Sequence, residues 1–222
     1  MKHLLYRGFA ATAALTLGLL MGCATPQGAD YQPQRGQSGK DVIWIPTSPE
    51  LVTRMLTMAK VSSQDIVYDL GAGDGIIAIT AAKHFGARAY GIEYNPQMAV
   101  HAQNNVRAAG VADKVSIRQG DIFEEKFDEA TVVTMYLLPH LNLKLRPTLL
   151  KMKPGTRIVS HAFDMNEWEA DEKVSNEYAH AFMWVVPSPV EGTWTLQEVD
   201  SKAQVQLDIQ QSFQRIGGSI TE

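Results

Sequence analysis

The sequence predicts an α/β fold: a doubly wound, mostly parallel sheet with helices on both faces, followed by a small C-terminal β extension. Three observations carry this expectation. Strand-like and helix-like segments alternate from Ile66 to Ser160, a glycine-rich turn joins the first such strand to its helix, and beyond His161 only strand patterns remain.

The chain has 222 residues, 45% of them hydrophobic and 20% charged, which is enough for one sizeable core plus an appendage. Its first 22 residues differ in kind. Lys2 and Arg7 make a positive start, and Phe9 to Met21 is an uncharged apolar run, shorter than the ~18 to 20 residues needed to cross a bilayer. Leu20-Met21-Gly22-Cys23 follows, and it resembles the lipobox of bacterial lipoproteins, in which the cysteine takes the lipid. The expected organisation is therefore a lipoprotein signal peptide over 1–22, a polar flexible tether over 23–40, the main domain over 41–186 and the β extension over 187–222.

Within the main domain, Val42 to Pro46 is a short apolar segment closed by proline. Thr47 or Ser48 can cap a helix whose first turn holds Pro49 and Glu50 and whose apolar stripe runs through Leu51, Met55, Leu56, Met58 and Ala59. Ile66–Leu70 is the first buried strand, Ile76–Phe85 a helix and Arg88–Glu93 the second strand. Asn95 caps the next helix with Pro96 in its first turn, and Gly110 ends it. Val115–Arg118, Thr131–Tyr136 and Arg157–Ser160 are further strands, and Leu141–Met152 is a helical stretch expected to break near Pro147. Three strands then follow: Tyr178–Val186, Gly192–Val199 and Ala203–Phe213. The first suits an antiparallel edge of the main sheet, and the other two suit the extension.

Charge narrows the function classes. The net charge is −4 at pH 7, and removal of Lys2 and Arg7 with the signal segment takes it to −6. No basic patch remains to hold nucleic acid. Cys23 is the one cysteine, so no disulfide stabilises the domain, and nothing in the composition suggests a metal site.

Asp69-Leu70-Gly71-Ala72-Gly73-Asp74-Gly75 joins the first strand to the first following helix. Gly71 and Gly73 let backbone approach a ligand closely, and the helix start presents unpaired N–H groups. A dinucleotide enzyme uses such a turn for pyrophosphate, but Asp69 would repel one. An acid there suits the α-amino end of S-adenosylmethionine. Glu93, at the end of the second strand, is placed for two ribose hydroxyls. Asp121 follows the third strand and can bond the adenine amino group, with Ile122 packing on the ring. Together these describe a Rossmann-like cofactor site in the order found in class I methyltransferases.

The sequence is similar to bacterial class I methyltransferases from Val42 to Asp164. The similarity runs through Trp44-Ile45-Pro46-Thr47, the glycine-rich turn, Gly91-Ile92-Glu93, Gly120-Asp121, Thr131 to Pro139 and Pro154 to Ser160. Within that class it resembles bacterial relatives of the mitochondrial lysine methyltransferases that act on the ATP synthase c ring protein and, more distantly, the non-SET histone lysine methyltransferases.

The resemblance implies S-adenosyl-L-methionine as cofactor and a protein lysine, or a small amine, as acceptor. It implies a narrow channel in which Tyr136 is the catalytic residue and Leu138, Pro139 and His161 are neighbours, with Trp44 and Pro46 closing the N-terminal side. His140 and Phe163 stand close by in sequence. There is no acidic or Asn-Pro-Pro-type signature after the fourth strand, which speaks against base and glutamine methylation.

Two other readings belong to different classes. An exported envelope binding or scaffold protein could retain the fold without catalysis, since a lipid-anchored domain facing the periplasm has no obvious supply of a charged cytoplasmic cofactor. A dinucleotide oxidoreductase is disfavoured by Asp69 and by the lack of a nearby catalytic pair.

Overall fold

The computed structural model describes residues 31–175, 180–197 and 204–221. The apolar leader and Cys23 lie outside them, as does the first part of the expected tether. Among the described residues no helix is long and apolar enough to cross a membrane.

Among the described residues ten strands and four helices follow in the order α1 (Pro49–Met58), β1 (Ile66–Leu70), α2 (Ile76–Phe85), β2 (Arg88–Glu93), α3 (Pro96–Ala108), β3 (Val115–Gln119), β4 (Val132–Met135), α4 (Pro139–Leu149), β5 (Arg157–His161), β6 (Glu172–Ser175), β7 (His180–Val185), β8 (Gly192–Gln197), β9 (Gln204–Ser212) and β10 (Arg215–Thr221). Seven strands form one sheet in the order β3-β2-β1-β4-β5-β7-β6. β1 to β5 are parallel, and β7 runs antiparallel to both neighbours. The strand order reverses between β1 and β4, where ligand crevices of open α/β sheets lie.

Alternation along the strands divides the core into two layers. Val67, Ala89, Val132 and Val159 pack with α1, α2 and α3, whereas Tyr68, Val133, Met135 and Ile158 pack with α4, Trp168 and Trp184. Burial on both faces explains why β1, β4 and β5 read as continuous apolar runs. The helix starts follow local chemistry. Ser48 Oγ accepts from Leu51 N at 3.3 Å and Asn95 Oδ1 from Gln97 N and Met98 N at 2.9 and 3.0 Å, each just ahead of a proline.

Four expectations need correction. Tyr178–Val186 is not an edge: β7 lies inside the sheet, and the edge is β6, whose Glu-Lys-Val-Ser composition shows no apolar period. α4 continues through Pro147, because that residue is in the last turn and Leu145 and Leu149 hold the helix to the core. The extension has three strands, since Phe213, at φ +53°, turns the chain back into β10. The described end of the tether is not an open coil: Gly36 N donates to Trp44 O and Trp44 N to Gln37 O at 2.8 and 2.9 Å, folding residues 36–44 into a strap.

The amino-terminal edge of the sheet is tied by one polar cluster. Asp65 Oδ1 accepts from Thr131 Oγ1 at 2.7 Å and pairs with the Arg157 guanidinium, whose Nη1 also donates to Ala59 O at 2.8 Å. Burial raises the Asp65 pKa, but the bonds from Thr131 and Arg157 outweigh it and hold it below the usual value. Its stabilising contribution is present above the ordinary aspartate range and lost as pH falls through the lowered pKa. Asp65→Asn should cost about 1.5 to 3 kcal/mol in urea unfolding at neutral pH, the range for hydrogen bonds to a charged group, and the gap from wild type should close in acid.

Candidate active site

β1 ends in Asp69 and Leu70, and the chain must then turn sharply to start α2. Gly71 N and Ala72 N both donate to Ile92 O of β2, at 2.9 and 3.0 Å, which lays the turn across the sheet's carboxyl edge. Gly73 has φ +54°, and a Cβ there would stand 2.7 Å from Trp44 Nε1. Only glycine fits a left-handed position against that ring.

The turn opens onto a cavity of about 590 Å³ lined by Asp69, Gly71, Gly73, Glu93, Asp121 and Ile122, and by Trp44, Pro46, Tyr136 and Leu138. The expected cofactor residues are thus brought together, and most of the expected channel joins them. Two channel residues do not line the cavity. Pro139 is exposed in the first turn of α4, because the chain has already left the sheet edge there. His161 lies buried behind Tyr136, with ring centroids 3.7 Å apart, and its Nδ1 is 3.2 Å from Thr47 Oγ1. His140 is exposed as well, whereas Phe163 lines the cavity.

Charge is the marked feature of this lining. It carries five carboxylates, on Asp41, Asp69, Asp74, Glu93 and Asp121, against one cation, Lys40. Lys40 Nζ sits 2.6 Å from Asp121 Oδ2 and is held protonated by that bond. Asp121 Oδ1 accepts from Phe123 N at 3.0 Å, so the acid expected to take an adenine amino group is already engaged by the strap and by its own loop. Glu93 Oε2 accepts from Gly73 N and Oε1 from Asn95 N, both at 2.9 Å. Each oxygen keeps a lone pair for a hydroxyl. Burial raises the Glu93 and Asp74 pKa values. Asp69 is raised to about 7, chiefly by burial and further by Asp74 and Glu93, although Thr134 Oγ1 donates to it at 2.8 Å.

Asp69, Asp74 and Glu93, clustered in an apolar cleft without a paired cation, call for a cationic ligand. The residues therefore fit S-adenosylmethionine: Asp69 and Asp74 for its positive end, Glu93 for the ribose, the glycine backbone and Ile122 for its flat parts. They do not fit a pyrophosphate. Lys40, Asp74, Thr134 and Thr47 escaped the sequence reading of the site. Asp74 alone had a local signal, an acid inside the glycine-rich turn.

The profile of the ANTKMT methyltransferase domain matches residues 69–172. A protein-lysine N-methyltransferase of Saccharolobus islandicus is 49% identical over 138 residues, covering 61% of this chain and 86% of that protein. The chain belongs to this methyltransferase family. A mouse lysine N-methyltransferase, named for the c component of ATP synthase, is 27% identical over 129 residues, covering 58% of this chain and 51% of that protein. A crystal structure of an RNA methyltransferase from Salinibacter ruber, in complex with S-adenosyl-L-homocysteine, matches with a TM-score of 0.65 and 46% identity; it covers 71% of this chain and 100% of that one. The family member described here is an S-adenosylmethionine-dependent methyltransferase with the Rossmann-like fold expected. The scaffold and dinucleotide readings are not favoured.

The raised Asp69 pKa makes cofactor binding pH-dependent. The acid-favoured, protonated form suits the empty fold, whose stability falls as pH rises toward 7, whereas a cationic ligand favours the ionised form. Affinity for S-adenosylmethionine should therefore climb as pH rises through about 7, with proton release seen by calorimetry in buffers of different ionisation enthalpy. Asp69→Asn should bind more weakly and abolish the Asp69-linked part of that release; release unchanged in this variant would assign the proton elsewhere.

Proposed function

We propose that this methyltransferase acts on the side-chain amine of a protein lysine. The observation that carries the reading is an aromatic wall, Tyr136 backed by a neutral His161, beside a carboxylate-rich cavity. Bound S-adenosylmethionine supplies an activated methyl group. The protein's task is then to draw in an ammonium, let it give its proton to solvent as the apolar lining strips its water, and hold the neutral nitrogen in line with the methyl, with S-adenosylhomocysteine as leaving group.

With Asp121 paired to Lys40, the remaining acids of the lining favour approach of a cationic side chain. Trp44, Leu138 and Phe163 give an apolar lining that lowers an amine's pKa by desolvation. Burial depresses the His161 pKa to about 4, so the ring behind Tyr136 adds no positive charge at neutral pH. Thr47 holds that ring in place, and the Tyr136 hydroxyl orients the incoming nitrogen without acting as a strong base. The relatives from Saccharolobus and mouse, both named for lysine methylation, support this acceptor. An RNA acceptor, as in the name of the Salinibacter protein, fits the lining poorly, because phosphates need cations and Lys40 is already paired.

The acceptor test uses tritiated S-adenosylmethionine and an envelope extract, followed by mass spectrometry of labelled protein. Label should appear on lysine. Tyr136→Phe and Tyr136→Ala should lower turnover about 10- to 100-fold while cofactor affinity holds. Label on RNA, on oxygen or on a small amine would overturn the lysine assignment.

We propose further that Cys23 is lipidated and anchors the enzyme in the bacterial envelope, facing the periplasm. Support comes from the charged start, the apolar run and the Leu-Met-Gly-Cys sequence. A fatty-acid analogue should label the wild type and spare Cys23→Ser; equal labelling would remove the anchor.

A further inference from the structure

The C-terminal sheet, in the order β10-β9-β8, is divided by residue type. The registers Trp194↔Leu207, Leu196↔Val205, Ile220↔Leu207, Gly218↔Ile209 and Ile216↔Gln211 place paired residues on a common face. Trp194 and Leu196 of β8, Val205, Leu207 and Ile209 of β9, and Ile216 and Ile220 of β10 therefore share one side. The opposite side is threonine, glutamine and serine with Asp208 and Arg215.

Among the described residues the apolar side is open to solvent apart from one edge, where the segment before β8 meets it: Trp194 Nε1 donates to Val190 O at 2.7 Å and Gln211 Nε2 to Ser188 O at 2.9 Å. Six large hydrophobic residues are exposed among the described residues, and four belong to this face: Trp194 at 46%, Leu196 at 53%, Ile216 at 65% and Ile220 at 69%. Contacts with the main domain gather near the β9–β10 turn, where Phe213 stacks on Trp168, Gln214 donates to Glu169 O and Arg215 pairs with Glu169. The extension also lies beyond residue 172, where the family match ends.

We infer that this face packs against the same face of a second copy, closing two three-stranded sheets into a six-stranded sandwich about a two-fold axis. A sheet with one apolar face requires a second layer. This face meets its own copy without like charges, because the paired positions carry no ionisable side chain. Four large side chains each about half or more exposed give one copy a contiguous apolar patch, and two such patches face to face approach the ~1,000 Å² lower limit for a specific interface. A lipid surface is a poorer occupant. Interfacial elements carry cationic fringes, whereas the described residues of these strands include one cation, Arg215, already paired with Glu169.

Sedimentation velocity of the full chain should show a reversible dimer, with Kd on the order of micromolar. Leu207 is central, paired with both Trp194 and Ile220, which puts it at the middle of the inferred contact. Leu207→Glu and Leu207→Lys should each sediment as monomers with unchanged S-adenosylhomocysteine affinity, and an equimolar mixture should recover the dimer. Ile220→Glu, at an already exposed position, should give the same loss through an independent site. A wild type that stays monomeric, variants that stay dimeric, or a mixture that stays monomeric would each overturn the inference. So would a monomer of the Cys23→Ser chain that floats with phosphatidylcholine vesicles and loses that flotation in Ile220→Glu, which would assign the face to lipid.

Discussion

Negative charge collected in an apolar cleft is the constraint on which the rest of the site depends. Parallel strands β1 and β2 both end at the carboxyl edge of the sheet, so Asp69, opposite Gly91, and Glu93, two residues further along, both line the cleft, and the glycine-rich turn adds Asp74. Burial raises the pKa of each. Their partners are neutral donors: the Thr134 hydroxyl for Asp69, and backbone amides of Ile76 for Asp74 and of Gly73 and Asn95 for Glu93. Such donors orient a carboxylate without neutralising it, and a cationic cofactor completes the balance.

The N-terminal strap couples the two halves of the cleft. Trp44 lies against Gly73 on the cofactor side, Lys40 reaches Asp121, and three residues after Trp44 the Thr47 hydroxyl meets His161 behind Tyr136. The next residue, Ser48, caps α1 and fixes the strap's exit to a buried helix. A displacement of this segment would therefore disturb both cofactor and acceptor walls. The strap precedes residue 69, where the family match begins. Closure of the cavity is built on a segment that precedes this match, although Trp44 to Thr47 shares the wider resemblance to class I methyltransferases.

The main domain is a completed two-layered core, with Trp168 and Trp184 fully buried on the α4 side and Met55 and Leu56 on the other. The extension is only half of such an arrangement. It has the alternation that specifies one buried face, yet no second layer covers it among the described residues, and that contrast sets it apart from everything between β1 and β7.

Features that rest on local chemistry are legible in the amino-acid order alone. Short apolar stretches at Ile66–Tyr68, Ala89–Ile92 and Ile158–Val159 mark β1, β2 and β5, Asn95-Pro96 specifies the start of α3, and the Asp-x-Gly-x-Gly turn followed by Glu93 specifies a cofactor edge, because each signal is complete within a few residues. Folding settles what depends on distant partners. β6 has no apolar period of its own and exists because β7 pairs with it; Pro147 stays helical because the core holds Leu145 and Leu149. Lys40 enters the site only when the chain folds back over 81 residues to Asp121. His161 becomes a buried neutral support rather than a channel wall because Tyr136 stands between it and the cavity. Burial and long-range pairing set these outcomes, and neither is a property of any short stretch of residues.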